Sequence, residues 1–230
     1  NCAGANASAV AEQAVLLMLA LLRRFKENDA MVFEGRQMEA KTRCFESGLT
    51  ELGDCHVGIV GLGAIGRELA KRLAAFGSRI SYFDTYRPQT CEIPFLELED
   101  LYSSCDIISL HVPVTPETTN MINDDTLGKF KQGAILINTA RGEIVDQEAL
   151  CRALESGRLG GAGLDVLTPE PVTPDNPVLR LPPDLKRKVA LSPHIGGITS
   201  GSFYRYYGIV WANMKRLSEG ARPVNVVNGL

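Results

Sequence analysis

Three ionisable side chains stand just beyond the carboxyl ends of three short apolar runs. Arg141 follows Ala134–Asn138 (AILIN), Glu170 follows 162–166 (AGLDV), and His194 follows Val189–Leu191. Their types make a chemical set. A guanidinium binds a carboxylate through two parallel hydrogen bonds. An imidazole gives and takes protons near neutral pH, and a carboxylate beside it orients and charges it. Each residue alone has a plainer reading: a surface arginine, a solvated glutamate between Pro169 and Pro171, a satisfied histidine between Pro193 and Ile195. Their shared position past strand ends is what separates them from that background, because ligands of an open parallel sheet bind beyond the carboxyl ends of its strands.

The element that has to organise such a sheet is 56–84, HVGIVGLGAIGRELAKRLAAFGSRISYFD. An apolar run, His56–Val60, is short and β-branched enough for a buried strand. GLGAIG follows (Gly61, Gly63, Ala64, Ile65, Gly66), then apolar residues at helical spacing: Ile65, Leu69, Leu73 and Phe76. Gly77 ends that helix, and a second strand, Arg79–Phe83, leads to Asp84. Strand, glycine turn, helix, strand and terminal acid in register are the fingerprint of a dinucleotide site. Gly61 permits the tight turn, Gly63 lets the backbone approach a pyrophosphate, and Gly66 lets helix and strand pack closely. The phosphates meet free N–H groups at the positive end of the helix dipole. Asp84 is placed to accept hydrogen bonds from ribose hydroxyls and to repel a 2′-phosphate, which selects NAD over NADP. Arg87, three residues on, is the one charge positioned to soften that repulsion.

The composition is that of an ordinary globular chain able to bury a sizeable core: 230 residues, 45% hydrophobic and 22% charged. A net charge of −3 leaves no basic footprint for nucleic acid. The apolar run 15–22 is too short to span a bilayer, so no membrane partner is expected. Six cysteines (2, 44, 55, 91, 105 and 151) show neither a CxxC pair nor metal-ligand spacing. The expectation is reduced thiols in a cytoplasmic protein, with no metal site.

Taken in order, residues 3–25 read as one long alanine- and leucine-rich helix, apolar around much of its circumference, which points to burial against a second copy of the chain. Residues 26–52 read as an irregular polar connector. After the fingerprint come a short helix at 94–102, a strand at 106–110 and a loop, HVPVTPETTNMIN. A helix near 124–130, the strand Ala134–Asn138, a helix at 147–156 and a strand at 162–166 follow. The proline-rich stretch 169–183 reads as an excursion without regular structure, and Val189–Leu191 as a sixth strand. A last helix spans roughly 199–218. Near-continuous apolar strands alternating with helices predict an α/β fold with a doubly wound parallel sheet of order 3-2-1-4-5-6. Residues 1–200 are expected to form a Rossmann-type NAD-binding domain, and 201–230 the returning helix and tail of a second, substrate domain.

The motifs together resemble the D-isomer-specific 2-hydroxyacid dehydrogenases: GANASAVAE, GIVGLGAIG with Asp84, HVPVTPETTNMIN, NTARGEIVD, GLDV with EP, and SPHIGG. The resemblance runs through nearly the whole chain. It implies catalytic roles for Arg141, Glu170 and His194. It implies cofactor contacts from the glycine turn (Gly61, Gly63, Ala64, Ile65, Gly66) and Asp84, and from His111, Val112 and Pro113 on the adenine side. It adds Thr118, Thr139, Ala140, Arg141, Asp165 at the nicotinamide carboxamide, His194 and Gly196. His111 otherwise reads as a packing residue at a strand end. The implied reaction is reversible reduction of a small anionic 2-oxo acid by NADH, in a homodimer paired through its cofactor domains. Glu170 argues against formate oxidation, where the family places glutamine. Family members carry a segment ahead of GANASAVAE that builds most of the substrate domain. Without it, this chain is expected to bind NADH and turn over poorly. A reading from a different class is an NAD-sensing corepressor-type binding protein on the same fold, with little turnover.

Overall fold

The computed structural model describes residues 2, 4–88 and 90–227. Its helices and strands run α1 (Ala7–Leu22), α2 (Phe25–Phe33), α3 (Gln37–Ser47), β1 (His56–Val60), α4 (Ala64–Phe76), β2 (Arg79–Phe83), α5 (Leu98–Ser104) and β3 (Ile107–Leu110). They continue α6 (Asp124–Lys129), β4 (Ala134–Asn138), α7 (Gln147–Glu155), β5 (Leu159–Leu164), α8 (Pro177–Arg180), α9 (Pro183–Lys186), β6 (Val189–Leu191) and α10 (Ser200–Ser218). All six strands are parallel.

The observed strand order is β2-β1-β3-β4-β5-β6, which corrects the expected 3-2-1-4-5-6. The chain does go outward past β2, but the segment there makes only a single bridge, Phe95 to Tyr82. Tyr82 N–H donates to the Pro94 carbonyl and Leu96 N–H to the Tyr82 carbonyl, each at 2.9 Å. Pro94 has no N–H to offer and α5 begins at Leu98, so the outer position never becomes a strand. The chain then crosses to the far side of β1, and the reversal of winding falls between β1 and β3. That crevice is where an open α/β sheet binds its ligand.

Alternation along β1 assigns the two faces. Val57 and Ile59 join a cluster with Met18 and Leu17 of α1 and Leu69 and Leu73 of α4. Val60 joins Leu101, Phe130, Leu136, Leu150 and Leu154 on the opposite face. Both layers are predominantly apolar, as a sheet covered on both faces requires.

Three further expectations change. Helix 3–25 stops at Leu22, because Arg24 takes a left-handed conformation (φ +49°) ahead of α2; the predicted start, Ala3, lies outside the described residues. The apolar circumference of α1 is satisfied within its own domain, where only Leu16, at 57%, is a strongly exposed large apolar side chain; this removes α1 as a reason for a second copy. Residues 26–52 hold two helices rather than a connector. They bury only Met31 and Ala40, and ion pairs such as Arg43–Glu39 (2.7 Å) link their polar surface, so no apolar period marked them. The stretch 169–183 likewise contains regular structure: Asn176 caps α8 by accepting a hydrogen bond from Val178 N–H, and α9 starts at Pro183. Strand β5 begins earlier than expected and ends at Leu164, which leaves Asp165 and Val166 in the loop beyond it. No helix among the described residues is long and apolar enough to cross a membrane.

Candidate active site

Beyond the carboxyl ends of β1, β3, β4, β5 and β6 lies a cleft of about 870 Å³. It is lined by Ile65, His111, Val112, Pro113, Thr139, Ala140, Arg141, Asp165, Glu170 and His194 among the predicted residues. Asn6, Val10, Val114, Gly197 and Ile198 also line it and were not anticipated. Gly61, Gly63, Ala64, Gly66, Asp84, Thr118 and Gly196 lie outside this cavity.

The glycine turn joins β1 to α4. Gly61 has φ +97°, and a Cβ there would meet the His111 carbonyl at 2.6 Å. At Gly66 a Cβ would lie 2.2 Å from the Gly61 carbonyl, which explains the close approach of helix and strand. Around Gly63 there is open space, and the N-terminus of α4 receives no side-chain cap, so its first N–H groups are free for an anion. Asp84, at the end of β2, is fastened to this turn: Leu62 N–H donates to its Oδ2 at 2.7 Å, and Tyr86 N–H to its Oδ1 at 3.0 Å. Arg87 is held elsewhere, paired with Glu97 at 2.5 Å and stacked 3.4 Å above the Phe95 ring. Thr118 sits in its own turn, donating to the Pro113 carbonyl at 2.7 Å.

Past β4, Asn138 shapes the turn that presents Arg141. Its Oδ1 accepts from Ala140 N–H at 3.0 Å, and its Nδ2 donates to the Arg141 carbonyl at 2.8 Å. The Arg141 guanidinium donates to the Ala140 carbonyl and makes no ion pair among the described residues, so it remains available to an anion. Nearby Thr139 Oγ1 and His111 Nδ1 are sealed from solvent and have no partner among the described residues. Burial pushes the His111 ring down to about 4, and its Nε2 shares a hydrogen bond with Ser109 Oγ at 2.8 Å. His111 is therefore neutral at physiological pH.

Past β5 and β6, Asp165 is 3% exposed and gathers the loop that carries His194. It accepts from Ser192 Oγ (2.5 Å), Ile195 N–H (3.0 Å) and Gly196 N–H (2.8 Å), while His194 N–H donates to its carbonyl (2.7 Å). His194 takes a left-handed conformation (φ +57°), a strained geometry held by these bonds. Its Nδ1 lies 2.9 and 2.8 Å from the two Glu170 oxygens. A carboxylate only accepts, so Nδ1 carries the hydrogen. Nε2 is left without a partner among the described residues.

An uncapped helix N-terminus with open space at Gly63, set at the winding reversal of a parallel sheet, suits a dinucleotide and defines a nucleotide-binding α/β domain. Residues 15–196 match the D-isomer specific 2-hydroxyacid dehydrogenase, NAD binding domain. The chain belongs to this family, and NAD is its cofactor. It thus carries the NAD-binding domain of oxidoreductases acting on CH–OH donors.

Among curated relatives, a glyoxylate reductase of Korarchaeum cryptofilum is 38% identical over 99% of this chain and 68% of its own length. A hydroxypyruvate reductase of Blautia hydrogenotrophica is 33% identical over 96% of this chain and 68% of its own. The NAD-complexed D-isomer specific 2-hydroxyacid dehydrogenase of Lactobacillus delbrueckii ssp. bulgaricus superposes with a TM-score of 0.82 at 30% identity, covering 96% of this chain and 69% of that one. The chain therefore spans about two thirds of the length of the relatives it matches.

Proposed function

We propose that Arg141, Glu170 and His194 catalyse the reduction of a small 2-oxo acid by NADH to its D-2-hydroxy acid, with glyoxylate and hydroxypyruvate as the first substrates to try. The observation that carries this reading is the His194–Glu170 pair, with both carboxylate oxygens within 2.9 Å of Nδ1, facing the same cleft as an unpaired Arg141. When bound, the dihydronicotinamide supplies a hydride to C2 of the substrate. Arg141 binds the substrate carboxylate and polarises the adjacent carbonyl. Protonated His194 gives its Nε2 proton to the C2 oxygen as negative charge develops there, and Glu170 holds Nδ1–H and stabilises the imidazolium. One 2-oxo acid, one NADH and one proton become one 2-hydroxy acid and NAD⁺.

Within the same reading, Gly61, Gly63, Ala64, Ile65 and Gly66 hold the pyrophosphate and Asp84 the adenine-side ribose. His111, Val112, Pro113 and Thr118 flank the adenine side. Thr139, Ala140, Asp165 and Gly196 form the nicotinamide end. Residues 1–200 constitute the cofactor domain and 201–230 the return into a substrate domain; in support, α10 buries only Ser202 and leaves Trp211 71% exposed. A cytoplasmic homodimer belongs to the same proposal. Its support is the free state of the six cysteines and the apolar surface of α2 and α3, where Phe33 is 86% and Phe45 90% exposed.

The test is NADH oxidation by the full-length protein with glyoxylate, hydroxypyruvate, pyruvate and bulkier 2-oxo acids. Turnover in the range of ~1–10³ s⁻¹ on at least one is expected. Tight NADH binding with no turnover on any of them would instead favour NAD sensing.

A further inference from the structure

Asp165 does not present its two oxygens equally. Oδ1 takes two donors, Ser192 Oγ at 2.5 Å and Ile195 N–H at 3.0 Å; Oδ2 takes one, Gly196 N–H at 2.8 Å. A carboxylate oxygen has two lone pairs, so Oδ1 is filled and Oδ2 keeps one direction open. Asp165 lines the cleft.

One of these donors is itself held from outside the loop. Ser192 has one hydroxyl hydrogen, and the short contact to the carboxylate claims it. Ser192 Oγ must then accept from its other neighbour, and Gln13 Nε2 lies 2.8 Å away, reaching across from α1. Gln13 also packs where the loop runs closest: a Cβ on Gly196 would lie 3.2 Å from Gln13 Cβ and 2.8 Å from Asp165 Oδ2. The donor direction thus runs one way, from Gln13 to Ser192 to Asp165.

We infer that Gln13 is a positioning residue for the nicotinamide end of the cofactor: it holds the Ser192 hydroxyl in line with Asp165 Oδ1, keeping that oxygen filled, and so leaves Oδ2 as the acceptor for the carboxamide N–H. The inference rests on the proposal that Asp165 faces the carboxamide. It predicts an effect confined to ligands that carry nicotinamide. Gln13→Glu keeps the shape but substitutes an acceptor for the donor, which draws the Ser192 proton away from Asp165 and adds a negative charge beside it. Gln13→Met keeps the bulk and removes the donor only.

The experiment is a pair of titrations, NADH and ADP-ribose, on the wild-type chain and both variants. ADP-ribose lacks the nicotinamide and reports whether the fold and the adenine side are intact. Gln13→Glu should weaken NADH at least about tenfold, and Gln13→Met by less, with ADP-ribose affinity held within about twofold. Unchanged NADH affinity in Gln13→Glu overturns the inference. So does equal loss of both ligands, which is the mark of a merely structural residue. A wild-type chain that binds ADP-ribose but shows no gain from the nicotinamide overturns instead the assignment of Asp165 to the carboxamide.

Discussion

His111 has its Nδ1 sealed from water with no hydrogen-bond partner among the described residues, although the residue keeps some exposed surface. Adding a proton would bury a charge that nothing opposes, so its pKa falls to about 4. The sign of the consequence follows from linkage. Between the unfolded value of about 6.5 and the folded value, the unfolded chain takes up a proton that the native state refuses. Falling pH therefore removes stability across that window, by up to ~3 kcal/mol. The direct check is an NMR titration of the His111 ring in the folded protein: a midpoint near 4 is expected, and one near 6.5 would show the site to be wet. Legibility at this scale was uneven. Arg141, Glu170 and His194 could be found because each follows an apolar run in a parallel sheet. Gln13, Ser192 and Asn138 could not, since an amide or hydroxyl that turns inward leaves no periodic mark in the sequence.

At the scale of elements, the fingerprint unit was readable to the residue: β1 and β2 begin and end where the apolar runs do. Helices α2 and α3 were missed because their stability rests on mutual packing and surface ion pairs rather than an apolar stripe. The outer strand was lost because pairing at Phe95 ends after one bridge, a tertiary outcome that alternation in PFLELED does not reveal. The closeness of α4 to the glycine turn gives a sharp test. A methyl group on Gly66 would meet a backbone carbonyl at 2.2 Å, which no rotamer change relieves. Gly66→Ala should destabilise the protein by about 1–3 kcal/mol in thermal or urea unfolding and weaken NADH. Gly128→Ala in α6, where a Cβ would meet nothing within 4 Å, should be neutral or stabilising by about 0.5–1 kcal/mol. Equal effects at the two sites would refute the packing argument.

For the molecule as a whole, the proposed catalysis is a consequence of parallel topology. Residues 53 positions apart in sequence, Arg141 and His194, share one cleft because β4, β5 and β6 all deliver their loops to the same edge. The glycine turn and Asp84 reach that edge from β1 and β2, so the proposed cofactor and substrate functions are built from separate loops on one sheet. Such a division predicts that they can be separated by substitution. The most direct measurement is His194→Asn in the full-length protein, followed by both NADH titration and steady-state reduction of its best 2-oxo acid. Expected is a fall in kcat/KM of about 10²–10⁴-fold, the usual worth of a positioned general acid, with NADH affinity falling by no more than about tenfold, the loss of one contact. Retained activity, or a loss of NADH binding large enough to explain the loss of rate, would contradict it.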